Sequence, residues 1–163
     1  MRHLTRHLTR QRGVTLVELV VGLAIMAMLF MAAVPSFQDY LANSKLREGG
    51  NTLFAQTLFA QSEAIKRNTV VRLEVDGSQI TVTDRSDPDA PVELRTAALN
   101  DGITLDDATI DFGGEGRPVG FAAASLNLSL ASLSCSTAIR CPGLRVDGGG
   151  AVRLCGDHTT NCD

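Results

Sequence analysis

The hydrophobic residues of this chain are concentrated near its N-terminus, in one run that extends from Val14 to Val34. Glu18 is the only charged residue in this run, and Thr15 is its only other polar side chain. At about 1.5 Å per residue, a helix of this length spans about 30 Å, the thickness of the hydrocarbon core of a bilayer. The pattern therefore predicts a membrane-spanning helix over residues 14–34.

The residues before the run set the expected orientation of this helix. Residues 1–13 contain four arginines and no acidic residue, so we expect the N-terminus in the cytoplasm and residues 36–163 on the opposite side. A cleaved secretory signal is a weaker interpretation, because the run is long and no A-x-A-like site is followed by a clear mature start. A buried helix of a soluble core would leave the arginines unexplained.

After the apolar run, residues 35–67 have the pattern of an amphipathic helix, and we expect its apolar face to pack on a globular head. Pro35 lacks an N–H donor and therefore predicts a kink or a local loosening. The adjacent Gly49 and Gly50 predict a bend or weak point, because glycine is a poor helix former. The apolar positions form two groups, Phe37, Tyr40 and Leu41, and Phe54, Leu58 and Ile65.

From Asn68 onward the hydrophobic period changes from about 3.6 residues to 2, which is typical of strands. Residues 69–84 have the pattern of a hairpin that turns at Asp76-Gly77. We therefore predict an α+β fold, in which the long N-terminal helix packs on a small antiparallel β-sandwich or roll formed by residues 68–163. The other predicted strands are 92–97, 102–105, 109–112, 119–122, 126–131, 143–147 and 151–155.

The charge of the chain is as uneven as its hydrophobicity. The net charge is −3, but residues 14–163 carry 11 basic and 18 acidic residues, which is a net charge of −7. A body this acidic has no general attraction for nucleic acid, so DNA binding would need a local basic patch. Arg140, Arg145 and Arg153 are candidates for such a patch, although surface solubility explains them equally well.

Four cysteines lie in the last 29 residues, at positions 135, 141, 155 and 162. An even number in a glycine-rich tail that follows an export-like N-terminus favours disulfides over free thiols. Three pairings are possible, and the sequence does not choose among them. One joins Cys141 to Cys155 across a hairpin, with Cys135–Cys162 around it. Another, nearly as plausible, is local, with Cys135–Cys141 and Cys155–Cys162.

The sequence contains no set of side chains that points to an enzyme or a metal site. No carboxylate pair, nucleophile–base pair or phosphate loop occurs at an informative spacing. His158 is the only histidine after residue 13, and the cysteine spacings include no C-x₂-C pair for zinc. We therefore expect no catalytic residue, no metal and no cofactor.

The stretch "RGVTLVELVVGLAIM" resembles the prepilin signature of type IV pilins and type II secretion pseudopilins. The resemblance implies that residues 1–13 are a leader that a prepilin peptidase removes after Gly13. It also implies that Val14, where the family usually has Phe, becomes the methylated N-terminus. Glu18 falls on the glutamate that acts in assembly, and Pro35 falls on the helix-bending proline.

A second stretch, "FAQSEAIKRNTVVRLEV", is similar to the end of the long helix and the first strand in the GspH/FimT (FimU-like) branch of minor pilins. Gln61 stands where the branch has an arginine. The resemblance implies a structural subunit that helps to initiate or cap a type IV pilus, in pilus biogenesis, with twitching motility or DNA uptake as processes that such a pilus serves. The alternative that it leaves open is the H-type minor pseudopilin of a type II secretion system.

The same resemblance implies the partners and the location of the protein. The partners are the prepilin peptidase, other minor and major pilins or pseudopilins, an inner-membrane assembly platform, and membrane lipid before assembly. The location is the bacterial inner membrane, with a periplasmic head, and then the filament. Some FimT-like pilins bind DNA through a C-terminal G-R-x-R motif. Here "GAVR" keeps Arg153 but has Ala151 in place of the first arginine, so DNA binding is disfavoured.

Overall fold

The computed structural model describes residues 13–160 and Cys162, so the predicted leader lies outside the described residues except for Gly13. The chain divides into two compact units, of which the first ends at Gln38 and the second begins at Asp39. One long helix, α1 (Leu16–Arg67), contributes to both units. It includes Pro35 without interruption, so the loss of one backbone hydrogen bond does not end the helix there.

The part of α1 in the second unit packs on β-sheets, but through a different face from the predicted one. Leu53 is fully buried, whereas Leu58 is 40% exposed and Tyr40, Leu41 and Ile65 are also exposed. The prediction is therefore wrong for these exposed residues, whereas Phe54 is half-buried and packs against the core, as predicted. The buried positions are mostly small or short, and they are Ala42, Leu46, Gly49, Gly50, Leu53, Gln56, Thr57, Ala60, Glu63 and Ala64.

The Gly49-Gly50 pair lies within α1 and marks a close approach between the helix and a sheet, not the predicted bend. A Cβ atom at Gly49 would lie 2.8 Å from the Ile103 side chain, and one at Gly50 would lie 3.2 Å from Pro142. Both distances are shorter than ordinary van der Waals contact. The helix therefore gives up some intrinsic propensity at these two positions in exchange for closer packing.

The C-terminal end of α1 is fixed by its own backbone and by an ion-pair network. Asn68 has φ +52° and ends the helix in the left-handed conformation, with Thr69 N–H donating to the Ala64 carbonyl at 3.2 Å. Arg67 donates to Glu63 at 2.7 Å and to Asp84 at 3.2 Å, which ties the helix to a strand end. These contacts give the "SEAIKRN" stretch a structural explanation.

The second unit contains eight strands among the described residues, and they are β1 (Val71–Asp76), β2 (Gln79–Asp84), β3 (Val92–Ala98), β4 (Ile103–Leu105), β5 (Ala108–Phe112), β6 (Ala124–Leu130), β7 (Gly143–Val146) and β8 (Val152–Cys155). They form two antiparallel sheets of four strands each. The first has the order β3-β2-β1-β5, and the second has the order β4-β6-β7-β8. The predicted hairpin is confirmed, since β1 and β2 pair from Val71↔Asp84 to Asp76↔Gln79.

The predicted strand at 119–122 is wrong, because Val119–Phe121 form a short 3₁₀ helix. Gly120 has φ +72° and Phe121 has φ +57°, and a strand requires negative φ. The other predicted strands are confirmed to within two residues at each end. The core of the second unit lies between α1 and the two sheets, and its largest fully buried side chains include Phe112, Leu46 and Leu53.

Candidate functional site

The first candidate site is the N-terminal apolar segment, which has no buried residue in the described part of the chain. All large apolar side chains from Val14 to Val34 are exposed by half or more. By length and composition, α1 could cross a membrane, and its most apolar window lies near the N-terminus. Because water cannot cover so much apolar surface without a large cost, this segment requires lipid or other apolar helices around it.

Glu18 accepts hydrogen bonds from its own chain at the beginning of α1. Glu18 Oε2 accepts from Thr15 N–H at 3.1 Å and from the Thr15 hydroxyl at 3.0 Å, while the Thr15 hydroxyl accepts from Glu18 N–H at 3.2 Å. This reciprocal pattern is a capping box, in which Thr15 is the N-cap and Glu18 the third helical residue. The T-x-x-E spacing is visible in the sequence, although the sequence-based interpretation treated Glu18 as an isolated charge and missed it.

The capping box uses only one of the two carboxylate oxygens. Among the described residues, Glu18 Oε1 accepts no hydrogen bond, so it can accept one from a positively charged group outside the capping box. Gly13 and Val14 precede the helix, and both are exposed. Cleavage between them would create an α-amino group at Val14, next to the residue that caps the helix.

The cysteines are joined by the local pairing, which is one of those that the sequence left open. Cys135 is bonded to Cys141, and Cys155 is bonded to Cys162. The β7–β8 register explains why Cys141 does not face Cys155, since it places Gly143 opposite Cys155. Each disulfide therefore closes a short loop in the C-terminal tail.

Two of the three candidate arginines lie on paired strands. Arg145 in β7 lies opposite Arg153 in β8, and the Arg145 side chain donates to Asn127 at 3.0 Å. Arg140 lines a cleft together with Arg47 of α1. The structure thus places two positive charges, Arg145 and Arg153, side by side. It places Arg140 beside the same cleft as Arg47, which was not among the candidates from the sequence.

Gln61 is a structural residue whose role the sequence analysis did not identify. Its side-chain amide donates to the Gly116 carbonyl at 2.6 Å and to the Gly150 carbonyl at 2.7 Å. It thereby holds the loop before the 3₁₀ helix and the β7–β8 turn on the same side of α1. Gly150 has φ +90°, and a Cβ there would lie 2.5 Å from the Gly116 carbonyl oxygen, so only glycine fits.

Three carboxylates of the second unit are held in their charged form. Hydrogen bonds from Arg67 and then Lys66 lower the pKa of Glu63 below its ordinary value. The hydrogen bond from the Ser86 backbone N–H lowers the pKa of Asp84, and the hydrogen bond from Arg67 lowers it further. Hydrogen bonds from the Thr159 hydroxyl and backbone N–H lower the pKa of Asp157. These groups act in structure and do not point to acid–base chemistry.

Within the described residues, no group of three or more His, Cys, Asp or Glu side chains is arranged to hold a metal ion. His158 Nδ1 lies 3.0 Å from the Cys141 carbonyl oxygen, which places the ring in the packing of the tail.

A long exposed apolar helix, a capping glutamate close to its beginning and a head of antiparallel sheets define the class of type IV pilin-like subunits. Two family models match the chain: the prokaryotic N-terminal methylation motif over residues 8–34, and the type II transport protein GspH over residues 50–158. The chain therefore belongs to the GspH family.

Solved structures of two proteins have the same fold. The type IV minor pilin FimU of Pseudomonas aeruginosa aligns with a TM-score of 0.59 at 14% identity, over 68% of this chain and 88% of FimU. The minor pseudopilin EpsH of the Vibrio cholerae type 2 secretion system aligns with a TM-score of 0.57 at 12% identity, over 69% of this chain and 97% of EpsH. At these identities the likeness establishes the fold alone.

A curated relative matches a shorter part of the chain. Fimbrial protein EcpC of Eikenella corrodens is 44% identical over 41 residues, which is 25% of this chain and 27% of EcpC. The match therefore spans about a quarter of that relative's length.

The family assignment confirms the predicted class and the α+β fold. Members of this family are structural pilin and pseudopilin subunits, so the chain is a structural subunit and not an enzyme. The N-methylation motif implies processing by a prepilin peptidase and assembly with other pilins. Together with the apolar helix, it indicates a membrane-anchored subunit.

Proposed function

We propose that this chain is a minor pilin that helps to initiate or cap a type IV pilus. The observation that carries the proposal is the apolar segment from Val14 to Val34, which is exposed throughout and has a methylation motif at its beginning. A surface of this kind is stable in two environments, the lipid bilayer before assembly and the bundle of subunit helices in a filament after it.

The expected sequence of events follows from the charges. The leader arginines keep the N-terminus in the cytoplasm, while the head lies in the periplasm and residues 14–34 span the inner membrane. A prepilin peptidase cuts after Gly13, and Val14 is methylated. An inner-membrane assembly platform then moves the subunit from lipid into the filament. There Glu18 Oε1 binds the Val14 amino group of a neighbouring subunit, since either charge alone is costly in an apolar medium.

The outer face of the second half of α1 is a second apolar surface, after the segment from Val14 to Val34, that neighbouring subunits would contact. Tyr40, Leu58 and Ile65 are exposed on this half of the helix, although each has the apolar character of a core residue. A minor subunit that joins a filament would cover them with the helices or heads of adjacent pilins. This explains why these three large apolar residues face outward, while Leu46, Leu53 and several small residues face the sheets.

A second candidate is the H-type minor pseudopilin of a type II secretion system. It is favoured by the GspH family model, which is described as a type II transport protein and matches residues 50–158. Both candidates require the same cleavage and the same helix. They differ in the machine that receives the subunit, so the genes beside this one and the phenotype of a deletion distinguish them.

A third candidate, a DNA-receptor pilin, is favoured only by the Arg145–Arg153 pair. Like charges on opposite strands repel each other, and an external phosphate would relieve that repulsion. Titration of labelled duplex DNA with the full chain in detergent, at two salt concentrations, tests it. We expect no binding at micromolar concentration, whereas salt-sensitive binding that Arg145→Gln and Arg153→Gln remove would support a DNA receptor.

The main proposal is tested by deleting the gene and restoring it in its own cells. We expect the deletion to reduce surface pili and the restored protein to be detected in sheared pili in small amounts. Normal piliation with loss of secreted enzymes would instead assign the chain to a type II secretion system. Normal piliation and normal secretion would contradict both assignments.

A further inference from the structure

A groove in the second unit, lined by both polar and apolar residues, lies between α1 and the edge strand β8. Its volume is about 540 Å³. Asn43, Arg47 and Asn51 form the wall on the helix, while Arg140 and the end of β8 form the other wall. Cavities of this size hold small molecules or a few residues of a peptide.

The groove is lined by two arginines and by no carboxylate. Among the described residues, the ion pairs involve Lys66, Arg67, Arg72 and Arg117 only, so Arg47 and Arg140 have no acidic partner within 4.0 Å. This stands out in a body whose net charge is −7 over residues 14–163. Two guanidinium groups in a concave site attract an anionic group, and their planar donors suit carboxylates.

The Arg140 wall is held in place before any partner binds. The Asn43 side chain donates to the Ala138 carbonyl at 2.7 Å, and its oxygen accepts from Arg140 N–H at 2.9 Å. The disulfide between Cys135 and Cys141 closes the same loop. A preorganised wall loses little conformational freedom on binding, which favours affinity.

The shape and the polar groups of the groove suit an extended polypeptide. β8 is the last strand of its sheet, and Leu154, Cys155 and Gly156 line the groove along it. A second cleft, of about 410 Å³, shares Arg140 and Gly156 with the first and is also lined by the hydroxyls of Ser136, Thr137, Thr159 and Thr160. Asp157 lines this second cleft as well, and its carboxylate accepts hydrogen bonds from the Thr159 backbone N–H and hydroxyl. Free strand edges and side-chain amides recognise the backbone of an extended chain.

We propose that this groove, defined by Asn43, Arg47, Asn51, Arg140 and the end of β8, binds an extended acidic segment of a neighbouring subunit. The inference rests on the proposed function, because it requires a neighbour in the filament. Arg47 and Arg140 bind the carboxylates of the segment, and Asn51 faces its backbone, while Asn43 keeps the Arg140 loop in place. A nucleic acid fits less well, since the acidic body around the groove repels a long polyanion but not one short segment.

The test is photo-crosslinking of the full chain in cells that assemble filaments. A benzophenone amino acid replaces Thr137, at the rim of the second cleft, and in a separate strain it replaces Phe30 in the apolar segment. Crosslinked peptides are then identified by mass spectrometry. We expect the Thr137 probe to capture one segment of another pilin-like subunit that contains aspartate or glutamate.

Matched charge reversals sharpen this experiment. Arg47→Glu with Arg140→Glu should reduce the Thr137 adduct about tenfold, because each lost contact is a charge-assisted one. Arg145→Glu with Arg153→Glu makes the same change of charge outside the groove and should leave the adduct within about twofold of the unsubstituted chain. Disulfide mapping and a thermal melt of each variant identify any that fails to fold, and the milder Arg47→Gln, Arg140→Gln variant replaces it.

The outcomes separate this inference from the proposed function. A Thr137 adduct to a segment without acidic residues, to lipid or to DNA would overturn the inference. So would the absence of a Thr137 adduct in cells where the Phe30 probe captures other subunits, although the proposed function would then stand. If neither probe captures a subunit, the proposed function fails and the inference fails with it.

Discussion

The two halves of α1 have the same secondary structure but differ in burial, since the first half is exposed throughout and the second half has a face buried against the sheets. In residues 16–34 nearly every side chain is large or apolar and exposed, and the only acid is part of the helix cap. In the second unit the buried face is built from small residues such as Gly49, Gly50, Ala60 and Ala64, which let the sheets approach closely. The first half therefore needs a partner from outside the chain, whereas the second half has its partner within it.

This difference shows that apolar character alone does not locate the core of a subunit that assembles. Leu58 is apolar and yet 40% exposed, whereas Gly50 is buried although it contributes almost no apolar surface. The relevant distinction is between surfaces that are covered on folding and surfaces that are covered on assembly.

Two leucines on the same helix test this distinction most strongly. Leu53→Ala should destabilise the second unit by about 3 kcal/mol, because it leaves a cavity at a fully buried position. The midpoint of thermal unfolding, measured on the full chain in detergent, should fall by about 10 °C. Leu58→Ala, the matched control, should change stability by less than about 0.5 kcal/mol. Similar losses in both variants would mean that the outer face also belongs to the core.

The first half is tested by separating the two roles of Glu18. Glu18→Ala should leave membrane insertion and cleavage unchanged and reduce the amount of subunit in purified filaments by at least about tenfold. Thr15→Val removes the capping hydroxyl but keeps the carboxylate, so its filament content should stay within about twofold of the unsubstituted chain. If Thr15→Val lowers the filament content as much as Glu18→Ala does, helix capping is the role of Glu18 and the proposed pairing with Val14 is wrong.

A smaller effect is expected at Gln61, where the second half of α1 holds two loops. Gln61→Leu leaves the Gly116 and Gly150 carbonyls without their donor and should lower the free energy of unfolding by about 1 kcal/mol. Amide hydrogen exchange should rise in residues 113–121 and 147–151. Gln38→Leu, the same substitution at an exposed position of the same helix, should change neither quantity. Unchanged exchange in both loops would show that Gln61 does not position them.

The smallest effect concerns the acid stability of the second unit. The pKa values of Glu63, Asp84 and Asp157 are lower in the folded chain than in the unfolded one. Their stabilisation is therefore complete above the unfolded values, near pH 4, and is lost as the pH falls through the folded values. The thermal midpoint should be steady above about pH 5 and decrease below about pH 4. Glu63→Gln with Asp84→Asn should lower the midpoint at pH 7 and flatten the acid decrease, and an unaltered slope would contradict this assignment.

Much of the fold was accessible from the sequence, because local patterns determine it. The period change at Asn68 placed the end of α1 within one residue, and Asp76-Gly77 located the first hairpin. The order of strands in the two sheets was not accessible, since it depends on contacts between distant residues. The choice of disulfides was not accessible either, because the spacing of the cysteines permits both the local pairing and the pairing across the hairpin. The failure at Val119–Phe121 has a local cause, because Gly120 and Phe121 adopt positive φ within an apolar stretch.

Candidate residues could be selected from the sequence where their spacing along the chain identifies them, but not where only contacts formed on folding do. Gly13, Val14 and Glu18 were selected by their positions, and the capping box at Thr15 could have been selected in the same way. Gln61 and Arg47 gave no such signal, because their partners Gly116, Gly150 and Arg140 come close only through the fold.

The proposed role depends most directly on the mature N-terminus. Intact-mass and N-terminal peptide analysis of the protein purified from its own membranes should show a chain that begins at Val14, with one methyl group on its amino nitrogen. A chain that begins at Met1, in cells with an active prepilin peptidase, would contradict the role proposed for Gly13, Val14 and Glu18.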